Sequence, residues 1–328
     1  ESKSSIVLHG IDGGTPLGFL AAIGLQQVLF EHAEPGLRPP ELCWRLLDNW
    51  RPVLHGPESM AAIVRAVETD ARQWEAEPIL DFRYLKVEKG GVKKVGGLRA
   101  PIAMLRPWLL RRRKVGDERS LAYACALMCE TASEPIGKPA TLEQLEREGI
   151  EASSESPLDR ASLRTFFDFT ARNAQFLEQV AAIRGDVNGE RTSAALERGM
   201  PDPTAQRTLD WDPAADTPGA IYTGYTRGFL PVHEWLGLRG IVCFPVTGLG
   251  ERLRTAACSG RRLAGDFTWP LWGLPATPNA VRSLVAYPEL HRLDAGQRRA
   301  LGITALFRAE LTKKADGRSG TFAPAQPV

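Results

Sequence analysis

Between residues 83 and 114 the chain sets eleven basic side chains against one carboxylate, Glu88. They are Arg83, Lys86, Lys89, Lys93, Lys94, Arg99, Arg106, Arg111, Arg112, Arg113 and Lys114. The chemistry open to such a stretch is recognition of a polyanion. Each phosphate neutralised by a lysine or arginine releases a condensed counterion, so several contacts together give strong, salt-sensitive binding. Gly90, Gly91, Gly96 and Gly97 keep the backbone pliable and bring peptide N–H groups within reach of an anion. Tyr84 and Trp108 are candidate stacking faces for bases. The candidate phosphate contacts here are Lys86, Lys89, Lys93, Lys94, Arg99, Arg111, Arg112, Arg113 and Lys114. The competing reading is a solvated face balanced by the acidic residues of 143–159. A second, weaker cluster at Arg308, Lys313, Lys314 and Arg318 adds Arg308, Lys313 and Lys314 as candidates. Lysines at a hairpin tip often serve only to keep a sheet edge from pairing with other chains.

Catalytic patterns are thin by comparison. Gly10-x-x-Gly13-Gly14 precedes an expected helix, as phosphate loops do. Its spacing fits neither G-x-G-x-x-G nor the P-loop, and no Lys-Ser/Thr pair follows, so a turn and helix cap is favoured. Asp210-x-Asp212, with Asp202 upstream, is a pattern able to hold a metal. Trp211 and Pro213 point instead to a turn that packs an aromatic. His233-Glu234 lacks a second ligand at helical spacing. There is no H-E-x-x-H and no G-x-S-x-G. No catalytic residue, metal or cofactor is assigned, and a binding subunit is expected rather than an enzyme. The five cysteines form no C-x-x-C pair, and their odd number suits a reducing compartment.

The elements that must position these residues belong to a chain of 328 residues, 43% hydrophobic and 24% charged, with a formal net charge of +2. That composition is globular. Near-neutral charge means that any affinity for nucleic acid comes from uneven placement. The apolar run 17–30 is broken by Gly18, Gly24, Gln26 and Gln27 and is too short and polar to span a bilayer. The N-terminus lacks the order of a secretion signal. A cytoplasmic location without membrane contact is expected.

Thr15 and Pro16 predict the start of a buried helix over 17–32, in which Gly18 and Gly24 allow close approach. Helical spacing predicts helices over 59–74, 120–130 and 163–183. Strands are expected at 6–9, 42–47 and 79–87, a loop at 89–97, and a mobile loop at 185–207. Further strands are expected at 209–213, 220–225, 240–246 and 267–272, with a short helix at 283–290. A hairpin is expected from 303–312 and 320–322. The aromatics of the last third read as core. The fold class is α+β, with mixed helices and short antiparallel strands and no Rossmann or P-loop core. The expected division is 1–133 with the basic loop 83–114, an acidic linker or loop at 134–160, and a region 161–328 ending in the hairpin.

Several segments together resemble one known family. Gly14-Thr-Pro-Leu-Gly-Phe-Leu-Ala-Ala-Ile-Gly-Leu25 looks like the N-terminal helix motif of large-subunit proteins from type I CRISPR Cascade complexes, closest to the type I-G group, formerly I-U. Leu209-Asp-Trp-Asp-Pro213, Trp269-Pro-Leu-Trp272 with Ala280-Val-Arg-Ser-Leu284, and Gly302-Ile-Thr-Ala-Leu-Phe-Arg308 resemble further segments of that group. The quoted segments cover about a tenth of the chain and leave 83–200 unmatched, so no motif-reading residue is carried over. The resemblance implies a non-catalytic subunit of an RNA-guided surveillance complex. Such a subunit recognises the protospacer-adjacent motif in duplex DNA and stabilises the opened target. Its implied partners are CRISPR RNA, the other Cascade subunits, target double-stranded DNA and a helicase-nuclease effector. The alternatives are a metal-dependent nuclease or nucleotide-dependent enzyme of a defence system, and an RNA-binding scaffold.

Overall fold

Thr15 opens the first long helix. Its hydroxyl accepts from the Gly18 amide at 3.1 Å, and Pro16 takes the first helical position, where no N–H is needed. The computed structural model describes residues 5–170, 175–213, 228–249, 251–288, 290–314 and 319–328. In chain order these form β1 (Ser5–Val7), α1 (Pro16–Glu31), β2 (Glu41–Leu46), β3 (Trp50–His55) and α2 (Met60–Gln73). The basic stretch follows as β4 (Tyr84–Glu88), β5 (Gly91–Val95) and α3 (Ile102–Lys114). Next come α4 (Glu118–Leu127), β6 (Met128–Pro135), α5 (Leu142–Arg147) and β7 (Arg160–Arg164). Helices α6 (Phe176–Gly185), α7 (Gly189–Arg198) and α8 (Pro231–Gly240) lead to β8 (Val246–Leu249), β9 (Arg252–Thr255), β10 (Cys258–Arg261) and β11 (Ala264–Trp272). The last elements are α9 (Pro278–Val285), α10 (Ala295–Ala300), β12 (Ile303–Lys313), β13 (Gly320–Phe322) and β14 (Gln326–Pro327).

The fold is α+β. Strands pair antiparallel, in one sheet ordered β1-β3-β2 and another ordered β10-β11-β12-β13, with β14 on β12. Three ribbons, β4–β5, β6–β7 and β8–β9, complete the described pairing. Helix α1 is buried from Pro16 to Val28 and packs along α8. The approach is backbone to backbone: a Cβ on Gly24 would sit 1.7 Å from the Leu236 carbonyl oxygen. Around this pair the aromatics of both chain ends meet. Phe19, Trp44, Phe267, Trp269 and Trp272 are all buried, with Phe267 and Trp269 stacked at 4.9 Å. Trp269 donates to the Gly13 carbonyl at 2.8 Å and Trp272 to that of Leu42 at 2.6 Å. No helix among the described residues is long and apolar enough to cross a membrane.

Several expected elements differ, each for a local reason. The helix expected over 163–183 is β7, an irregular stretch and then α6. Asp168 is the breaker: its Oδ1 accepts from the Thr170 amide at 2.9 Å and the Thr170 hydroxyl at 2.5 Å, satisfying backbone that a helix would otherwise bond. The glycine-lysine loop expected at 89–97 is mostly strand β5 of a hairpin. The mobile loop expected at 185–207 contains α7, capped by Asn188 and ended by Gly199 at φ 64°. Residues 209–213 are no strand; Asp210 sits at φ 64° and Trp211 turns inward to donate to the Phe167 carbonyl at 2.7 Å. The strand expected at 240–246 is the end of α8 and a 3-10 turn, with strand beginning only at Val246. The short helix starts earlier than expected, as α9, and the strand expected at 79–87 shortens to β4. The strand expected at 220–225 lies outside the described residues.

Candidate nucleic-acid interface

The hairpin β4–β5 places Lys86 opposite Lys93 and Leu85 opposite Lys94, so successive lysines alternate between its two faces. Lys86 is compensated, its Nζ lying 3.1 Å from Glu88 Oε1. Lys94 Nζ is 3.7 Å from Glu148 Oε2. Lys89 and Lys93 are exposed and make no ion pair among the described residues. At the foot of the hairpin the sequence reading needs correction. Gly96 and Gly97 are buried, and the Gly96 amide donates to Glu178 Oε1 at 3.2 Å. Arg83 turns inward onto the carbonyls of Leu80 and Phe82, at 2.6 and 2.9 Å. Those groups hold the hairpin in place and are not offered to an anion.

Helix α3 delivers the second group. Its buried side carries Leu105 and Trp108, and Trp108 packs edge-on against Phe82 at 5.2 Å. Its last turn is Arg111, Arg112, Arg113 and Lys114. Cations there are favoured by the negative end of the helix dipole. Arg111 pairs with Glu151. Arg112 lies 3.5 Å from Asp117 and 5.9 Å above the Trp108 ring. Arg113 and Lys114 are exposed with no ion pair among the described residues. Upstream, Arg106 reaches Glu130 at 3.4 Å and Ser156 at 3.1 Å. Arg99 pairs with Glu134 and donates to the Pro135 carbonyl at 3.0 Å. Tyr84 and Trp108, the expected stacking faces, are only 6% and 7% exposed, so they pack in the core instead.

Four of the six carboxylates that answer these cations, Glu130, Glu134, Glu148 and Glu151, follow α4, and the last three lie in the 134–160 segment expected as an acidic linker or loop. Glu148 and Glu151 were legible only as members of an acidic run; which cation each meets depends on the return of the chain from β6 to β7. A groove of about 320 Å³ runs beside α3, lined by Pro107, Leu110, Arg111, Lys114, Glu151, Ala152 and Ser153.

The weaker cluster stands on the C-terminal sheet. Arg308 lies 3.7 Å from Asp266, and Lys314 Nζ is 2.7 Å from Asp210 Oδ1. Lys313 is exposed; Arg318 lies outside the described residues. The loop at 10–16 is committed internally. The Gly10 amide donates to the Leu196 carbonyl at 2.8 Å, that of Gly13 to Trp50 at 2.7 Å and that of Gly14 to Asp12 Oδ1 at 2.8 Å. The first two tie the loop to distant backbone and the third is local to the turn, so these amides are not offered to a phosphate. Among the described residues, no three His, Cys, Asp or Glu side chains gather as a metal set. Comparison of the chain with family models, curated proteins and solved structures finds no match.

Proposed function

We propose that this protein is a non-catalytic DNA-binding subunit of an RNA-guided complex of the CRISPR Cascade type, acting in the cytoplasm. In this reading the hairpin β4–β5 and the last turn of α3 grip target-DNA phosphate. The sequence resemblance supplies the complex, the partners and the role in recognising a protospacer-adjacent motif. The observation that carries the phosphate contact is a separation within the basic stretch. Lys86, Lys94, Arg99, Arg106, Arg111 and Arg112 each face a carboxylate. Lys89, Lys93, Arg113 and Lys114 are left exposed and uncompensated among the described residues. Phosphate contacts position a duplex without reading its sequence, and they need cations of this free kind. The remaining candidates, Lys313 and the paired Arg308 and Lys314, contribute secondarily.

The test is a salt titration of duplex-DNA binding with Lys89→Glu/Lys93→Glu and with Arg113→Glu/Lys114→Glu. Each double variant should weaken binding at least about tenfold and lower the slope of log K against log salt by about two. Unchanged affinity and slope in both would sink the assignment. Preference for a duplex carrying one short motif over single-stranded RNA separates the Cascade reading from that of an RNA scaffold.

A further inference from the structure

The carboxylates of Glu148 and Glu151 sit on two of the cations that a phosphate would otherwise meet. Glu148 is on Lys94 of β5, and Glu151 is on Arg111 at the end of α3. Three residues of chain span at most about 11 Å, so the tetrapeptide Glu148-Gly149-Ile150-Glu151 bridges hairpin and helix directly. The segment around it is tied to α5 and to α3. The Ile150 amide donates to the Leu145 carbonyl at 2.9 Å, and Leu145 is 1% exposed. The Ser153 amide donates to the Ala103 carbonyl of α3 at 2.7 Å. One residue ahead of the first of these bonds, Gly149 adopts φ 65° with no heavy atom within 4 Å of a built Cβ, and its amide donates to the Glu146 carbonyl at 3.0 Å. Glu151 also lines the groove beside α3 together with Arg111, Lys114 and Leu110, the last 59% exposed.

We infer that Arg111, Lys114 and Lys94 form a binding site for backbone phosphate of nucleic acid, occupied in the free protein by Glu148 and Glu151, and that these two carboxylates are displaced when nucleic acid binds. The inference rests on the phosphate-contact reading above and adds the regulation of that surface. The geometry gives each carboxylate the role of a phosphate oxygen. Both ion pairs are partly solvent-exposed, with the glutamates 35% and 54% accessible, and exposed pairs are individually weak and screened by salt. A nucleic-acid strand brings several phosphates at once and releases counterions, so it outcompetes two glutamates while a single small anion does not. The consequence is selectivity for long polyanions over free phosphate or nucleotides.

The test uses the full chain and a short fluorescent duplex DNA of arbitrary sequence. Glu148→Gln/Glu151→Gln is compared with Glu143→Gln/Glu146→Gln, which removes the same charge from the same segment at exposed positions making no ion pair among the described residues. The first pair should tighten binding about three- to tenfold and steepen the salt slope by about two, as two more cations reach phosphate. The control should stay within about twofold. Adding Lys94→Ala/Arg111→Ala to the first pair should erase the gain. If the unmodified protein binds and the two glutamine pairs shift it equally, or neither shifts it, the displacement idea is overturned while the phosphate surface stands. If neither the unmodified protein nor Glu148→Gln/Glu151→Gln binds, the surface itself is overturned and the displacement with it. Amide exchange at 149–152 in the unmodified protein gives a second readout: faster exchange with duplex present agrees with release, and slower exchange contradicts it.

Discussion

Removing the carboxylate of Asp70 should harm the fold more than removing any surface cation. Arg239 is fully buried, its Nε 2.9 Å from Asp70 Oδ2 and its Nη2 2.5 Å from Glu31 Oε2. Its guanidinium lies 4.4 Å over the Trp74 ring and bonds the Tyr123 hydroxyl. Asp70→Asn leaves that charge buried with half its compensation, and breaking such a pair costs about 3–5 kcal/mol. A urea midpoint unchanged by the substitution would contradict this. Two neighbouring residues on α8 set a pH dependence. Burial lowers His233 from 6.5 to about 4 and raises Glu234 from 4.5 to about 8, against hydrogen bonds from Thr208 and Leu209. A lowered histidine contributes stability that is lost as pH falls; a raised glutamate contributes stability that is lost as pH rises. Between 4.5 and 6.5 the two oppose each other, and between 6.5 and about 8 Glu234 acts alone. There the folded state holds a proton that the unfolded state has released, so stability falls by up to about 1.4 kcal/mol per pH unit. Urea unfolding across that window should show the decline, and Glu234→Gln should flatten it.

At the scale of elements, α1 against α8 is the contact least tolerant of added volume. A Cβ at Gly24 meets the Leu236 carbonyl, and one at Gly240 would lie 2.7 Å from the Leu20 carbonyl, so neither backbone can yield without the helices parting. Gly24→Ala should cost about 1–3 kcal/mol as overpacking, read as a lowered melting temperature. The same substitution at Gly90, where nothing lies within 4 Å of a built Cβ, should leave melting nearly unchanged. This contact was partly legible in the sequence. Thr15-Pro16 marked the cap, and glycines in an otherwise apolar helix signalled close approach. Its partner was hidden, because α8 is separated from α1 by some two hundred residues and its own pattern carries no one-sided apolar stripe. Elements governed by local signals, such as the start of α1 at Thr15-Pro16 and the terminal hairpin, were readable. Elements governed by distant contacts were not. The phenylalanines after Thr165 have helical spacing, yet Thr165 bonds the Leu127 carbonyl at 2.8 Å and Phe166 bonds Thr255 at 3.1 Å, which holds the chain extended.

On the scale of the whole molecule, the charge map and the core obey different rules. The basic stretch was visible in the sequence as a count of eleven, but six of those cations face carboxylates, four of them from the region after α4, and only the tertiary fold decides which cations remain. A net charge of +2 therefore conceals a small uncompensated patch within a larger neutralised one. The core, by contrast, draws together the sequence parts expected to divide at 134–160. One cluster of buried residues runs from Leu8 to Phe322. Gln26 on α1 donates to the Ala276 carbonyl at 2.7 Å, and Trp269 and Trp272 bond the N-terminal backbone. Unfolding the C-terminal sheet would strip Phe19 and Trp44 of their packing, so the first 133 residues should not survive it. Chains of this length often unfold in steps, which makes the expectation a sharp one. Urea unfolding followed by tryptophan emission and by far-ultraviolet circular dichroism should give coincident transitions. A first step that exposes Trp269 and Trp272 while leaving Trp44 and Trp74 buried would show that the two ends fold independently.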